Sequence, residues 1–268
     1  MLSALKIEWM KVKNYRTFWI LLGITLVSIP GFNYMSYNIT NNSFPKGRNG
    51  QNPILGSPFS FPDVWNTVAW NASILFIIPA LLIITLTTNE FTFKTHRQNV
   101  IDGWSRQRFI SVKLVMVLLL SILCTLVVLL TVLGFGFIAN KPGPGVSIIQ
   151  GSRMVFFYFV EMLSYSMIAL LMSILIRRSG LAIGVFFIYM LAEQIVVGIF
   201  GKSYHMKWVN YLPEEVTDML LPQPYAKALF QRNAADWEHH IPVYLAISAL
   251  YLIIYCVLTS RRFVKADL

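Results

Sequence analysis

Residues Asn89–Lys113 read NEFTFKTHRQNVIDGWSRQRFISVK, a charged island between two long apolar runs, Val64–Thr88 and Phe109–Ile138. Glu90, Lys94, Arg97, Asp102, Arg106, Arg108 and Lys113 all carry charge at neutral pH. A charge at the centre of a bilayer costs roughly 2.5–3.5 kcal/mol on insertion scales. The island therefore belongs in water, joining two membrane crossings. Within it, Phe93, Arg97, Val100, Ile101 and Trp104 recur at the spacing of one helix face. Gly103 can end that helix, and Ser105 is placed to cap the next one. The pattern predicts a short amphipathic helix between two spans. It is either a contact surface for something outside the bilayer or a solvated linker.

Composition agrees with a membrane setting. Of 268 residues, 56% are hydrophobic and 13% charged, with mean hydropathy +0.60, where a soluble domain has about a quarter of its residues charged. A net charge of +10 would suggest nucleic acid in a soluble chain. Here membrane topology accounts for it, and no nucleic-acid partner is expected. Cys124 and Cys256 both lie in apolar runs, which argues against a disulfide framework or a zinc site. His205, His239 and His240 lack ligand spacing with any acid or cysteine, so no metal site is expected. The first apolar run has no small-residue cleavage site after it and reads as retained.

Outward from the island, the whole chain resolves into one transmembrane domain over 1–268. Residues 1–17 place Leu2, Leu5, Trp9 and Val12 at helical spacing, with Lys6, Lys11, Lys13 and Arg16 around them. This is the pattern of a basic amphipathic helix lying on an anionic leaflet, or of a positive flank orienting the first span. Spans are expected at about 18–34, 64–86, 109–138, 155–176, 181–200 and 242–258. Pro30-Gly31 should bend or fray the first, and Pro79 should kink the second. The third holds 30 residues where about 20 suffice, so it should tilt or project. Arg177–Gly180 leaves room only for a tight turn. Residues 205–232 are polar but carry Val216–Leu221, a run too short to cross, which reads as re-entrant or interfacial. The acids Glu214, Glu215 and Asp218 there read as a solvated face. Trp65–Trp70 and Tyr244–Tyr251 read as interfacial aromatic belts.

Charge counting sets the orientation. Eight of the 22 Lys and Arg fall on one side: Lys46, Arg48, Lys141, Arg153, Lys202, Lys207, Lys227 and Arg232. The other fourteen fall on the side of the termini and the island. The positive-inside rule then puts both termini and the island in the cytoplasm. The fold class expected is an all-α polytopic membrane protein with six spans, an N-terminal interfacial helix and a short cytoplasmic helix between spans two and three.

This layout resembles the ABC-2 type permeases, the membrane subunits of ABC exporters. In that family the second-to-third connection often begins with Glu, reaches a Thr and a mixed-polarity helix, then shows Pro or Gly, Ser-Arg and a Lys entering the third span. Glu90, Thr95, Gly103, Ser105-Arg106 and Lys113 stand in matching order. The family commonly has Gly before the Thr, and this chain has Lys94. The closing Arg261-Arg262-Phe263 with Asp267 is also similar. The resemblance implies a coupling helix, with Glu90, Phe93, Thr95, Arg97, Val100, Ile101, Gly103, Trp104, Ser105 and Arg106 facing a separate ATP-binding subunit. It also implies an N-terminal contact through Leu5, Trp9, Lys13 and Arg16, and a second permease copy or paralogue completing the pathway. The location implied is a bacterial cytoplasmic membrane. ATP and Mg²⁺ would bind the partner, with no cofactor in this chain.

The ATPase cannot lie in this chain. The Walker-like stretch Val197–Ser203 has Val196 where a P-loop requires Gly. No HExxH or Gly-x-Ser-x-Gly motif is present, so the chain reads as a transport subunit and not as an enzyme. Glu161 and Glu193 sit within spans, roughly 10–12 Å from the outer boundary at 1.5 Å per residue. Intramembrane acids are functional candidates. Either both face a pathway, or each is satisfied by neighbours such as Tyr158, Tyr165, Tyr189 and Gln194. An alternative reading follows from them, a secondary ion-coupled transporter with no ATPase partner.

Overall fold

The computed structural model describes residues 2–42, 57–95, 105–139, 147–226 and 234–265. Among these the fold is helical throughout, without strands. Six helical stretches are long and apolar enough to cross a membrane. In chain order, α1 (Leu2–Lys13) precedes α2 (Arg16–Asn42). The second span is built from α3 (Val64–Ser73), a 3₁₀ turn at Ile74–Phe76, and α4 (Ile77–Thr92). Then follow α5 (Arg106–Ala139), α6 (Arg153–Ile176) and α7 (Ser179–Val196). After short turns come α8 (Glu215–Asp218) and α9 (Ala234–Lys265).

The hub is α6. Its apolar window is 72% buried, against 22% for α2, for the span built on α7 and for α9. It packs on α3, α4, α5, α7 and α9. Its small polar residues make this possible. Ser164 and Ser173 donate to the carbonyls of Val160 and Ala169 in their own helix, so burial leaves those hydroxyls satisfied. The peripheral helices keep Leu, Ile and Val exposed, as the outer ring of a bundle in lipid would.

Expected boundaries move where polar residues find partners. Instead of ending near Tyr34, α2 runs through Pro30 to Asn42. Beyond the proline, Asn71 donates to Asn33 Oδ1 (3.0 Å) and to Tyr225 Oη (2.9 Å), and Ser36 Oγ lies 2.5 Å from that phenol. These contacts hold residues that read as loop within the helix. In the second span, where Pro79 predicts a kink, the helix passes through a 3₁₀ turn at Ile74–Phe76. Pro79 supplies no N–H to Leu75 and crowds its carbonyl, so the helix tightens just before it. With 34 residues, α5 is about 51 Å long, well beyond a hydrocarbon core of about 30 Å. The turn between α6 and α7 is only Arg177-Arg178, with Arg177 at φ 57°.

The aromatic belts are a correction. Trp65 and Tyr244 are buried, and the Trp65 indole donates to the Ile148 carbonyl at 2.7 Å. They belong to a core at the end of the bundle remote from α1, together with Phe61, Tyr158 and Leu220. A second core, with Phe109, Phe186 and Phe263, fills the end nearer α1.

Candidate functional site

The feet of α4 and α5 meet α1 through three buried charges. Glu90 occupies the last turn of α4, Lys113 lies two turns into α5, and Glu8 is in the middle of α1. Lys113 Nζ lies 2.6 Å from Glu90 Oε1 and 2.9 Å from Glu8 Oε2. The three residues are 3%, 8% and 2% exposed for Lys113, Glu90 and Glu8. Lys11 joins from the rim, 3.3 Å from Glu8 and 3.9 Å from Glu90. Two carboxylates face two ammoniums, so the cluster is neutral as a whole. That neutrality is what lets ions sit where water is excluded. Burial opposes the charge on Glu8, but Lys113 and Lys11 outweigh it and hold the carboxyl below its ordinary range.

Around this cluster the foot is braced from several sides. Asn89 donates to the Tyr15 hydroxyl at 2.7 Å. Arg106 donates to the Val264 carbonyl at 2.7 Å, tying the start of α5 to the end of α9. Phe263 stacks on Phe109 with ring centres 4.6 Å apart. The Arg177 guanidinium lies over the Phe91 ring at 5.5 Å. A cleft of about 160 Å³ opens beside the ions, lined by Glu8, Tyr15, Asn89, Glu90, Thr95 and Lys113 among others.

The chain leaves this base as the charge pattern requires. Phe93 follows α4 with 70% of its surface exposed, and Lys94 takes a left-handed conformation, φ 54°. Gly is the residue that adopts such a φ without a Cβ penalty. Thr95 Oγ1 reaches the Glu90 carbonyl at 3.5 Å. On the far side of the connection, Ser105 accepts the Arg108 N–H at 3.2 Å, the expected cap of α5. Arg97, Val100, Ile101, Gly103 and Trp104 lie outside the described residues.

The contact face of α1 differs from the expected one. Glu8 and Val12 are buried, while Trp9 is 52% exposed and Lys13 and Arg16 point away. Trp9 packs edge-on against Phe18 and Trp19 of α2. The side chain of Leu5 is outside the described set. Sequence reading missed Glu8 altogether, although a lone acid among the cations of a basic helix, four residues before Val12, is a signal for a specific partner. It also assigned no role to Phe263.

At the opposite end lies a second group, made only of acids. Glu193 Oε1 accepts the backbone N–H groups of Glu214 (2.7 Å) and Glu215 (3.0 Å). Asp218 Oδ1 accepts the Tyr165 hydroxyl at 2.5 Å. The carboxyl of Glu161, itself 3% exposed, interacts with Asp218 and with the Ser73 hydroxyl. The solvated face expected at 214–218 is thus corrected, since Glu214 and Glu215 are buried against α6, α7 and α9. Burial raises the Glu214 carboxyl to about 9, with Glu193, Asp218 and Glu215 adding to it. Burial likewise raises Asp218 to about 6, against the hydrogen bond from Tyr165. Glu193 is held by the 214–215 backbone and by Tyr189, one of the neighbours anticipated for it, whereas Glu161 meets Asp218 and Ser73, and the Tyr165 hydroxyl goes to Asp218 instead. Val216, Leu220 and Leu221 are buried with this segment, and α8, at four residues, does not cross.

Among the described residues no group of His, Cys, Asp and Glu is arranged to hold a metal ion. No curated protein matches the chain. A family match covers residues 23–268, which takes in Glu90, Lys113 and the acids at the opposite end but leaves α1 outside it. The chain belongs to the family described as Protein of unknown function (DUF2705).

Proposed function

We propose that the chain is the membrane-embedded permease subunit of an ATP-driven transporter of the ABC-2 type, an exporter, working as a dimer with separate ATP-binding subunits. The observation that carries the reading is the ion cluster of Glu8, Glu90 and Lys113. It makes the feet of the second and third spans and the N-terminal helix one braced unit at the point where the charged island leaves the bundle. A push delivered to the island would reach α4 and α5 directly, and through α5 the hub helix α6. The exposed Phe93 and the Gly-like backbone at Lys94 support the same assignment. In this reading the island and both termini face the cytoplasm of a bacterial cell.

The mechanism is a shift between two arrangements of the bundle. ATP bound in the partner closes the nucleotide-binding subunits, and the residues from Phe93 to Arg106, Arg97 and Trp104 included, carry that closure into the spans. A ligand bound elsewhere moves such an equilibrium only by its differential affinity for the two states. The contacts at the island must therefore differ between them. The role of this chain is positional, and the chemistry of hydrolysis belongs to the partner.

Co-expression with an ABC ATPase, followed by co-purification, tests the assignment. The wild-type chain should retain that ATPase. Phe93→Ala, Arg97→Ala or Trp104→Ala should lose it, and Trp208→Ala at the opposite end should not. Retention of the ATPase by a triple Phe93/Arg97/Trp104 variant would remove the island as its docking site.

A further inference from the structure

The segment between α7 and α9 is anchored by acids on acids, and that arrangement needs an explanation independent of any ATPase. We propose that Glu161 of α6 and Asp218 of α8 hold one shared proton, and that this proton keeps the 212–221 segment docked in the bundle as a latch that opens when the proton leaves.

The geometry sets the requirement. Glu161 is enclosed in the middle of the most buried helix, and its Oε2 has no hydrogen-bond partner. Its carboxyl meets that of Asp218, whose Oδ1 is already taken by the Tyr165 hydroxyl. Two carboxyl groups attract only when one proton lies between them, and as two anions in a low dielectric they repel. Among the described residues the surroundings supply no countercharge to this pair. Glu193 faces it from α7, and Glu214 and Glu215 from the segment itself. Tyr158 and Tyr165 of α6, Tyr189 of α7, and Tyr251 and Tyr255 of α9 complete the titratable shell. Phenols at neutral pH donate hydrogen bonds without adding positive charge.

Two further features divide the labour. Glu193 anchors the segment differently, through its backbone, by accepting the N–H groups of Glu214 and Glu215. Glu214 is 1% exposed with Oε1 unpartnered, which makes it a second proton holder in the docked form.

Undocked, these carboxyls would meet water and regain ordinary affinities, so the docked form binds more protons. Docking is then strongest at low pH and weakens as pH rises. For Asp218 the loss runs from 3.8 up to about 6, and for Glu214 from 4.5 up to about 9. Each proton linked in this way lowers the docking equilibrium by about tenfold per pH unit within its window. The proton passes to bulk water and no other bond changes.

The test uses the full chain in lipid nanodiscs, with Cys124 and Cys256 replaced by Ala. Leu220→Cys, fully buried on the docked segment, reports opening through its reaction with a maleimide. Tyr204→Cys, 65% exposed, corrects for the intrinsic pH dependence of the thiol. The corrected rate should rise at least about tenfold between about pH 4 and about pH 9, a range that spans both windows. Glu161→Gln and Asp218→Asn should each make the rise shallower, and Glu161→Gln with Glu214→Gln should flatten it. Glu193→Gln should raise the rate at every pH and leave the slope. Infrared difference spectra of the otherwise unmodified chain between the same pH values should show loss of a protonated carboxyl band. A flat corrected rate, a slope unchanged by Glu161→Gln, or the absence of that band would overturn the proposal. None of these readouts requires an ATPase, so failure here is separable from failure of the permease assignment.

Discussion

Replacing Lys113 by Met leaves two carboxylates facing each other behind α1, and the consequence can be worked from the distances. At 2.6 and 2.9 Å, and with an effective dielectric near 20, each ion contact of Lys113 is worth about 6 kcal/mol gross. Stripping water from an enclosed ammonium consumes several kcal/mol of that, and removing one partner of such a buried pair costs a net ~3–5 kcal/mol. Little else ties α1 to α4 and α5, since Val12 is its other deeply buried side chain among those described. Trp9, and Trp19 donating to the Lys13 carbonyl, hold α1 to α2 instead. At 1.4 kcal/mol per decade, Lys113→Met should therefore favour release of α1 by roughly 10²–10³-fold. A Val12→Cys reporter in a Cys124/Cys256-free chain measures this as a rate of maleimide labelling. Lys11→Met, which removes a half-exposed partner 3.3 Å from Glu8, should change the rate less than about tenfold. The pH dependence has a definite sign. Because the Glu8 carboxyl is held below its ordinary 4.5, its contribution is whole above that value and is lost as pH falls below it. Acid should thus release α1 while it tightens the 212–221 segment at the other end. Labelling of Val12→Cys in Lys113→Met no faster than in Lys11→Met would refute the reasoning.

Three further perturbations probe the frame. Lys94→Gly removes a Cβ from a left-handed residue and should raise thermal stability by about 1 kcal/mol, whereas Lys94→Val should lower it; melting followed by tryptophan fluorescence distinguishes them. Asn71→Ala strips donors from Asn33 and Tyr225, leaves buried polar groups unmet at ~1–3 kcal/mol each, and should lower the melting temperature more than Tyr225→Phe. Gly136→Ala would drive its Cβ into the Phe61 ring and should destabilise by ~1–3 kcal/mol, while Gly134→Ala, which meets nothing, should be neutral.

The spans were legible because a bilayer demands long apolar runs, and the charged island was legible because it cannot enter one. Helix ends were less so. Asn33 and Ser36 look like loop residues until Asn71 and Tyr225 are brought beside them, and no local pattern announces partners 38 and 189 residues away. Pro79 signalled a local disruption, seen as the 3₁₀ turn at Ile74–Phe76, because its effect is confined to one turn. The charges were hardest to place. Lys113 could be recognised by its position, but its two acids lie 105 and 23 residues distant, and Glu8 resembles any surface acid on a basic helix. Glu214, Glu215 and Asp218 were misread for the converse reason. Three acids within five residues imply water unless tertiary contacts remove it, and here Glu193 and Tyr165 bind them into the bundle.

The central claim is that an ATPase acts on this bundle through the connection between its second and third spans. Photo-cross-linking from a benzophenone residue at position 97, in intact cells that co-express an ABC ATPase, reads this directly. The account predicts a cross-link to that ATPase from position 97 and none from position 208. Capture of the ATPase from 208 with none from 97, or solute movement by the purified chain in vesicles with no ATPase present, would contradict it.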